Sequence, residues 1–226
     1  MGYPRRVLID GGTVRVFNTD RSDGDFQIRD PAPDVETRRR AIVDAPWSWI
    51  HQVHGTTVLE VSEPGEQAGA TADGLLTTAP GCPIAVTAAD CSPVVLVAER
   101  GVAVLHAGWR GLVDGIVEST GKRLIDLAGR PIEALVGPCI HPNHYEFGAD
   151  VLAEVIDRYG DEVRGLTAWG TTALDMPTAV GRACQAAGWK VTDVGPCTSG
   201  DRYFSHRMRG DDERQTTVAW IEPAPA

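Results

Sequence analysis

The sequence predicts an α+β fold, a layered β-sandwich flanked by helices. Short apolar runs with strand character recur from residue 7 to residue 221, and helical stretches fall between them without strict alternation. Hydrophobic residues make up 42% of the 226 residues, enough for a substantial core in one domain spanning residues 1–226. Residues 84–111 double back on themselves through two nearly unbroken apolar runs, Val94-Val95-Leu96-Val97 and Val102-Ala103-Val104-Leu105. Such runs belong to strands buried on both faces.

Taken in order, residues 7–10 and 13–17 read as strands around the Gly11-Gly12 turn. Residues 18–34, rich in Asp, Gly and Pro, read as a surface loop. Residues 36–43 make a short helix whose Arg38-Arg39-Arg40 run is a solvated face, because Asp30, Asp34, Glu36 and Asp44 surround it. Residues 47–53 and 56–61 read as a hairpin turning near His54-Gly55. His51 and His54 lie three apart on a strand, so only one of them serves a given site. Residues 71–78 lead into the central strands.

In the central hairpin, a turn at Glu99-Arg100-Gly101 that pairs Ala98 with Val102 sets His106 opposite Val94, three residues past Cys91. Leu112, Ile116, Thr120, Leu124 and Leu127 then recur at helical spacing until Gly129. Residues 134–136 make a buried strand, followed by a loop with His141 and His144, read as a solvated pair. Val151, Leu152, Val155, Ile156 and Tyr159 mark an amphipathic helix stopped by Gly160. Asp175 caps another with Pro177 in its first turn. Residues 191–194, 203–205 and 216–221 supply late strands.

The net charge of −10 argues against a general grip on nucleic acid, which needs a basic surface. A small anionic substrate remains open, because one local arginine serves it. There is no signal-peptide core and no run of the ~20 apolar residues of a membrane helix, so a soluble cytoplasmic chain without membrane contact is expected. The five cysteines are scattered without a CxxC, which suits a reducing compartment.

Three residues carry the candidate chemistry. His54, Cys91 and His106 each fall at a turn or strand end. Two imidazoles and a thiolate match zinc, and three protein ligands leave a fourth position for water. The metal would deprotonate the thiol and activate that water. Two other readings stay open: a Cys91 nucleophile with His106 as base, and a small core cysteine with both histidines satisfied by backbone groups. Asp90 either orients a ligand histidine or carries a proton, or it caps the corner before Cys91. Gln52 either faces a substrate or pairs with backbone. Trp109 reads as packing.

The motifs HQVHG (51–55), ADGLLTT (72–78), TAADCSPVVL (87–96), LHAGWRGL (105–112), GPCI (137–140), YEFG (145–148), and CT (197–198) with YFSHR (203–207) together resemble the bacterial YfiH family. That family is also known as laccase-domain or multicopper polyphenol oxidase proteins, and as peptidoglycan editing factor. The resemblance runs from about Trp49 to Ile221. It implies a β-sandwich flanked by helices, related to cysteine hydrolases, with zinc on His54, Cys91 and His106. It implies a zinc-dependent purine nucleoside phosphorylase acting on adenosine, inosine and methylthioadenosine, with adenosine deaminase activity. Its partners would be a nucleoside and phosphate. In that context Cys91, His106, Asp90 and Arg110 are the expected catalytic residues, and Gln52, Arg110 and His206 the expected substrate contacts. Arg110 would hold phosphate beside a helix N-terminus, or else pair with an acid such as Asp90; His206 would sit on the pocket rim.

The alternatives are a cytosolic hydrolase that edits peptidoglycan precursors and a non-catalytic zinc-binding module. Multicopper oxidation needs many more histidines than the six present, so copper is expected only as an adventitious occupant. The chain departs from the family pattern in three places. Residues 17–33 are shortened and lack a Ser-Leu-Asn-Leu-like motif, His141-Pro142-Asn143-His144 replaces a Gly-Pro and Cys pattern, and Arg207-Met208 stands where a double arginine is usual.

Overall fold

The computed structural model describes residues 2–224. The chain begins with β1 (Tyr3–Ile9), β2 (Gly12–Asn18), α1 (Val35–Ile42), β3 (Ser48–His51), β4 (Val58–Glu60), β5 (Ala70–Thr71), β6 (Gly74–Thr77) and β7 (Ile84–Ala88). Next come β8 (Ser92–Ala98), β9 (Gly101–Ala107), α2 (Trp109–Val113), α3 (Ile116–Ala128), β10 (Pro131–Val136) and α4 (Ala149–Tyr159). It ends with β11 (Arg164–Leu166), β12 (Thr172–Leu174), α5 (Met176–Ala186), β13 (Val191–Val194), α6 (His206–Arg209) and β14 (Gln215–Pro223).

One six-stranded sheet runs β1-β2-β14-β7-β3-β5, a second runs β13-β10-β8-β9-β6-β4, and β11 pairs with β12 alone. Alternation decides the layers. Val95, Val97, Val102 and Val104 of the β8–β9 hairpin meet Val14, Ile84, Val86 and Ala219 of the first sheet. Val94, Leu96, Ala103 and Leu105 face the other way, onto Leu124 of α3, Val155 of α4 and Ala183 of α5. The hairpin is therefore covered on both sides, as its unbroken apolar runs require. Asp175 accepts the N–H of Thr178 at 2.9 Å and caps α5 as expected.

Several local expectations are corrected. The β8–β9 turn is the two-residue Glu99-Arg100, pairing Ala98 with Gly101 and Pro93 with His106. The register tightens because the turn is anchored from outside: the N–H of Glu99 bonds the Arg130 carbonyl at 3.1 Å and that of Arg100 the Ala128 carbonyl at 3.0 Å. Residues 47–61 are not a hairpin. β3 joins the first sheet and β4 the second, so the chain crosses between sheets at 52–57. The helical run after Gly111 is two helices, broken at Gly115 with φ +88°. Leu112 and Ile116 are buried on either side of it. Residues 203–205 are not a strand; Ser205 caps α6 by accepting the N–H of Met208 at 3.2 Å. Arg39 is not on a solvated face: it is buried, with its guanidinium 4.9 Å from the centre of the Trp49 ring.

Residues 18–34 form a packed segment rather than a surface loop. Phe26 and Ile28 are buried, and the Phe26 ring stacks at 6.3 Å on Trp47. Asp20, itself buried, accepts the N–H of Ser22 at 2.9 Å and Nε of Arg202 at 2.8 Å. Burial alone would raise its carboxyl, but these donors hold it down to about 2. The stabilisation from a depressed carboxyl is fully present above the unfolded-state value and is lost as pH falls through the folded one. Asp20→Asn is therefore expected to cost about 2 kcal/mol in urea melts near neutral pH, and the gap to wild type should close between about pH 4 and pH 2.

Candidate metal centre

The site is built around a carboxylate that the sequence reading did not single out. Asp73 stands before β6 with no exposure to solvent, and a buried charge needs several partners. One oxygen lies 2.9 Å from Nδ1 of His106 and also accepts the N–H of His54 at 2.9 Å. The other accepts the N–H of Gly55 at 2.7 Å and of Val53 at 3.2 Å. Its own backbone carbonyl takes the N–H of His106 at 2.7 Å. One residue thus fixes the end of β9 and the crossing segment together. It also holds His54 at φ +61°, a left-handed conformation that few non-glycine residues adopt.

With Nδ1 of His106 committed to Asp73, Nε2 is the nitrogen left for the site. The His54 and His106 rings meet edge to face at 4.8 Å, and Nε2 of His54 lies 3.8 Å from Sγ of Cys91. The ligand atoms of His54, Cys91 and His106 all lie within 4.8 Å of one another. Tetrahedral zinc, with bonds of about 2.0–2.3 Å, sets its donors about 3.5 Å apart, so a small closure seats an ion. Burial opposes ionisation of the Cys91 thiol, but His106 and His54 beside it hold its pKa well below the usual thiol range. Burial likewise lowers His106, while Cys91 and Asp73 raise it more strongly. The thiolate that this favours is the form that binds metal or attacks carbon.

Gly108 completes the cradle. A Cβ there would lie 2.6 Å from Cδ2 of His54 and 3.5 Å from Sγ of Cys91. Its φ of −72° suits alanine, so Gly108→Ala is expected to keep the fold while displacing His54. Competition with a chelating dye should show metal affinity about tenfold weaker, with a melting temperature within a few degrees of wild type.

A cavity of about 540 Å³ opens on the three donors. Gln52, Asp90 and His206 also line it, but two of them are otherwise engaged. Gln52 donates Nε2 to the Thr87 carbonyl at 2.7 Å and accepts the Thr87 N–H at 2.8 Å, so its amide is used by β7. Asp90 touches neither histidine. Its carboxylate accepts from Thr198 Oγ1 at 2.6 Å, Ser205 Oγ at 2.7 Å and the N–H of Arg207 at 2.7 Å, which clamps the 198–207 segment at the cavity. None of these bonds goes to the corner before Cys91, so Asp90 neither caps that corner nor bonds a donor histidine, and the carboxylate that orients His106 is Asp73. Arg110 is exposed and does not line the cavity; its guanidinium lies 4.4 Å from the centre of the Trp109 ring. It forms no ion pair with Asp90.

His51 and His54 both line the cavity, contrary to the strand reading, because β3 ends at His51 and the chain then turns. His141 and His144 stay outside the metal-type group, Nε2 of His141 lying 3.1 Å from the Gly195 carbonyl. Tyr145, Arg29 and Arg214 line the cavity without having been expected there. A signal for Asp73 was present in ADGLL: an acid set directly before an apolar strand must be satisfied internally.

Residues 11–222 match the family model described as multi-copper polyphenol oxidoreductase laccase. The chain belongs to that family. Relatives named purine nucleoside phosphorylase include one from Xylella fastidiosa, 34% identical over 186 residues that span 76% of this chain and 71% of the relative. Another, from Deinococcus radiodurans, is 34% identical over 218 residues spanning 89% of this chain and 78% of the relative. Among solved structures, Bacillus licheniformis YfiH superposes with a TM-score of 0.79 at 22% identity, covering 92% of this chain and 93% of that one. YlmD from Geobacillus stearothermophilus gives 0.77 at 24% identity, covering 94% and 92%. These likenesses establish the YfiH-type fold. This laccase-family member carries, among the described residues, one metal-type group of three donors. Its thiolate and imidazoles suit zinc or copper, but they do not supply a multinuclear cluster.

Proposed function

We propose that this chain is a purine nucleoside phosphorylase that holds zinc on His54, Cys91 and His106. The observation that carries the reading is that three-donor group opening on a cavity of about 540 Å³, a volume that suits a nucleoside, in a chain related to proteins of that name. Zinc held there supplies a Lewis acid. The protein's own residues position everything else. Asp73 fixes the ring of His106 and the backbone of His54, and Asp90 holds the 198–207 wall against the cavity. In phosphorolysis a phosphate oxygen bonds to the anomeric carbon as the carbon–nitrogen bond to the purine breaks. The electron pair leaves with the base, which takes up one proton. The substrates are adenosine, inosine and methylthioadenosine, and deamination of adenosine is a second activity of the same centre.

Incubation with inosine tests this reading. Ribose 1-phosphate and hypoxanthine should form only when phosphate is present. Cleavage of a muramyl-serine nucleotide with no ribose 1-phosphate from any purine nucleoside would instead establish the second reading. That reading is favoured by one observation, the placing of the Cys91 sulfur within 4.8 Å of a ring nitrogen of His54 and one of His106. In it the Cys91 thiolate attacks an amide carbonyl, His106 protonates the departing amine, and water releases the thioester.

A further inference from the structure

The chain is acidic overall, and most of its arginines stand within 4.0 Å of a carboxylate. Among the described residues, Arg6, Arg29, Arg100, Arg110, Arg207 and Arg214 have no such ion pair. Three of the six, Arg29, Arg207 and Arg214, line the cavity that carries the metal-type group. Two carboxylates line it as well. That of Asp90 is taken up by Thr198, Ser205 and the backbone of Arg207, and that of Asp212 is on an exposed residue.

Arg207 and Arg214 are held by their neighbours, and Arg29 stands exposed on the same wall as Arg214. The N–H of Phe26 bonds the Arg214 carbonyl at 2.9 Å, the N–H of Arg214 bonds Oδ1 of Asp25 at 2.9 Å, and Nε2 of Gln27 bonds the Asp212 carbonyl at 2.7 Å. Segments 25–29 and 211–214 therefore form one laced wall. Arg214 gives Nη1 to the carbonyls of Asp211 and Glu213, at 3.0 and 2.8 Å. Arg207 gives Nη1 to the Glu146 carbonyl at 3.0 Å and stacks 4.9 Å from the centre of the Tyr145 ring. A guanidinium has five N–H donors, so both keep donors over, and backbone carbonyls leave their charge uncompensated.

We propose that Arg29, Arg207 and Arg214 form an oxyanion subsite of this cavity and that it takes inorganic phosphate. The proposal rests on the phosphorolysis reading for what the anion does, and it moves phosphate away from Arg110, which lies outside the cavity lining. Guanidinium groups suit a tetrahedral oxyanion through paired N–H donors. It also gives the shortened 17–33 segment a substrate contact through Arg29.

The test compares Arg29→Gln and Arg214→Gln with Arg100→Gln, a control at the far turn of the β8–β9 hairpin. Each protein is assayed for the KM of phosphate and of inosine, and titrated with inorganic phosphate against chloride at equal ionic strength in thermal melts. Arg29 is exposed, so its variant reports even if the Arg214 change unsettles the wall. Losing a charge-assisted pair should raise the phosphate KM about tenfold in either cavity variant, with inosine KM within about twofold and phosphate protection lost. Arg100→Gln should match wild type. An unchanged phosphate KM with retained protection overturns the subsite and leaves phosphorolysis standing. A rise confined to the inosine KM also overturns it, because the anion recognised would then belong to the organic substrate. If wild type makes no ribose 1-phosphate, yet its phosphate protection disappears in Arg29→Gln, the function falls and the subsite stands.

Discussion

Cys91→Ala is expected to abolish metal retention and to lower kcat/KM for inosine by at least about a thousandfold, equivalent to about 4 kcal/mol of transition-state stabilisation. The thiolate is one of three donors within 4.8 Å of one another, and two neutral imidazoles alone bind zinc far more weakly. The side chain is only half-buried and sits at a corner, so the metal-free variant should lose no more than about 1 kcal/mol in urea melts. That separation between activity and stability distinguishes a reactive centre from a core cysteine. In steady-state assays beside equilibrium unfolding, activity should collapse while the unfolding midpoint stays near that of stripped wild type. An active Cys91→Ala protein, or one that loses stability in proportion to activity, would contradict this account.

Asp73→Asn is expected to have the largest effect on the fold around the site. The carboxylate is wholly buried and receives N–H groups from Val53, His54 and Gly55 as well as the His106 ring. An amide keeps one acceptor oxygen but turns an NH2 group towards donors that it cannot accept from. Breaking such a buried, charge-assisted set costs about 3–5 kcal/mol. Release of the His106 ring should also weaken metal binding by about 10–100-fold. Denaturant unfolding of the stripped protein gives the first number, and competition with a chelating dye gives the second. A variant as stable as wild type with unaltered metal affinity would show that Asp73 is dispensable.

Asp73 also marks the boundary of what the sequence makes legible. The buried hairpin of β8 and β9 could be read from its residues, because two unbroken apolar runs have only one way to be covered. Its burial, and the placement of Cys91 and His106 at its open end, followed directly. The exact pairing did not, since the Glu99-Arg100 turn is set by contacts with Ala128 and Arg130. The crossing at 52–57 looked like a hairpin because the bonds that shape it come from Asp73, remote in sequence. Residues 18–34 have the composition of a solvated loop, yet two apolar side chains among them, Phe26 and Ile28, pull the segment onto the body of the protein. Arg29 and Arg214 meet in one wall only through that packing, and no local pattern links them. Asp90 was visible as a candidate, but its role depended on Thr198, Ser205 and Arg207, all far along the chain.

The most direct test of the central claim is the metal content of the purified protein after zinc loading and gel filtration, measured beside Cys91→Ala handled identically. The account predicts one zinc per wild-type chain and essentially none in the variant, with both proteins giving the same circular dichroism spectrum. Equal metal in the two, or none in wild type after loading, would contradict it.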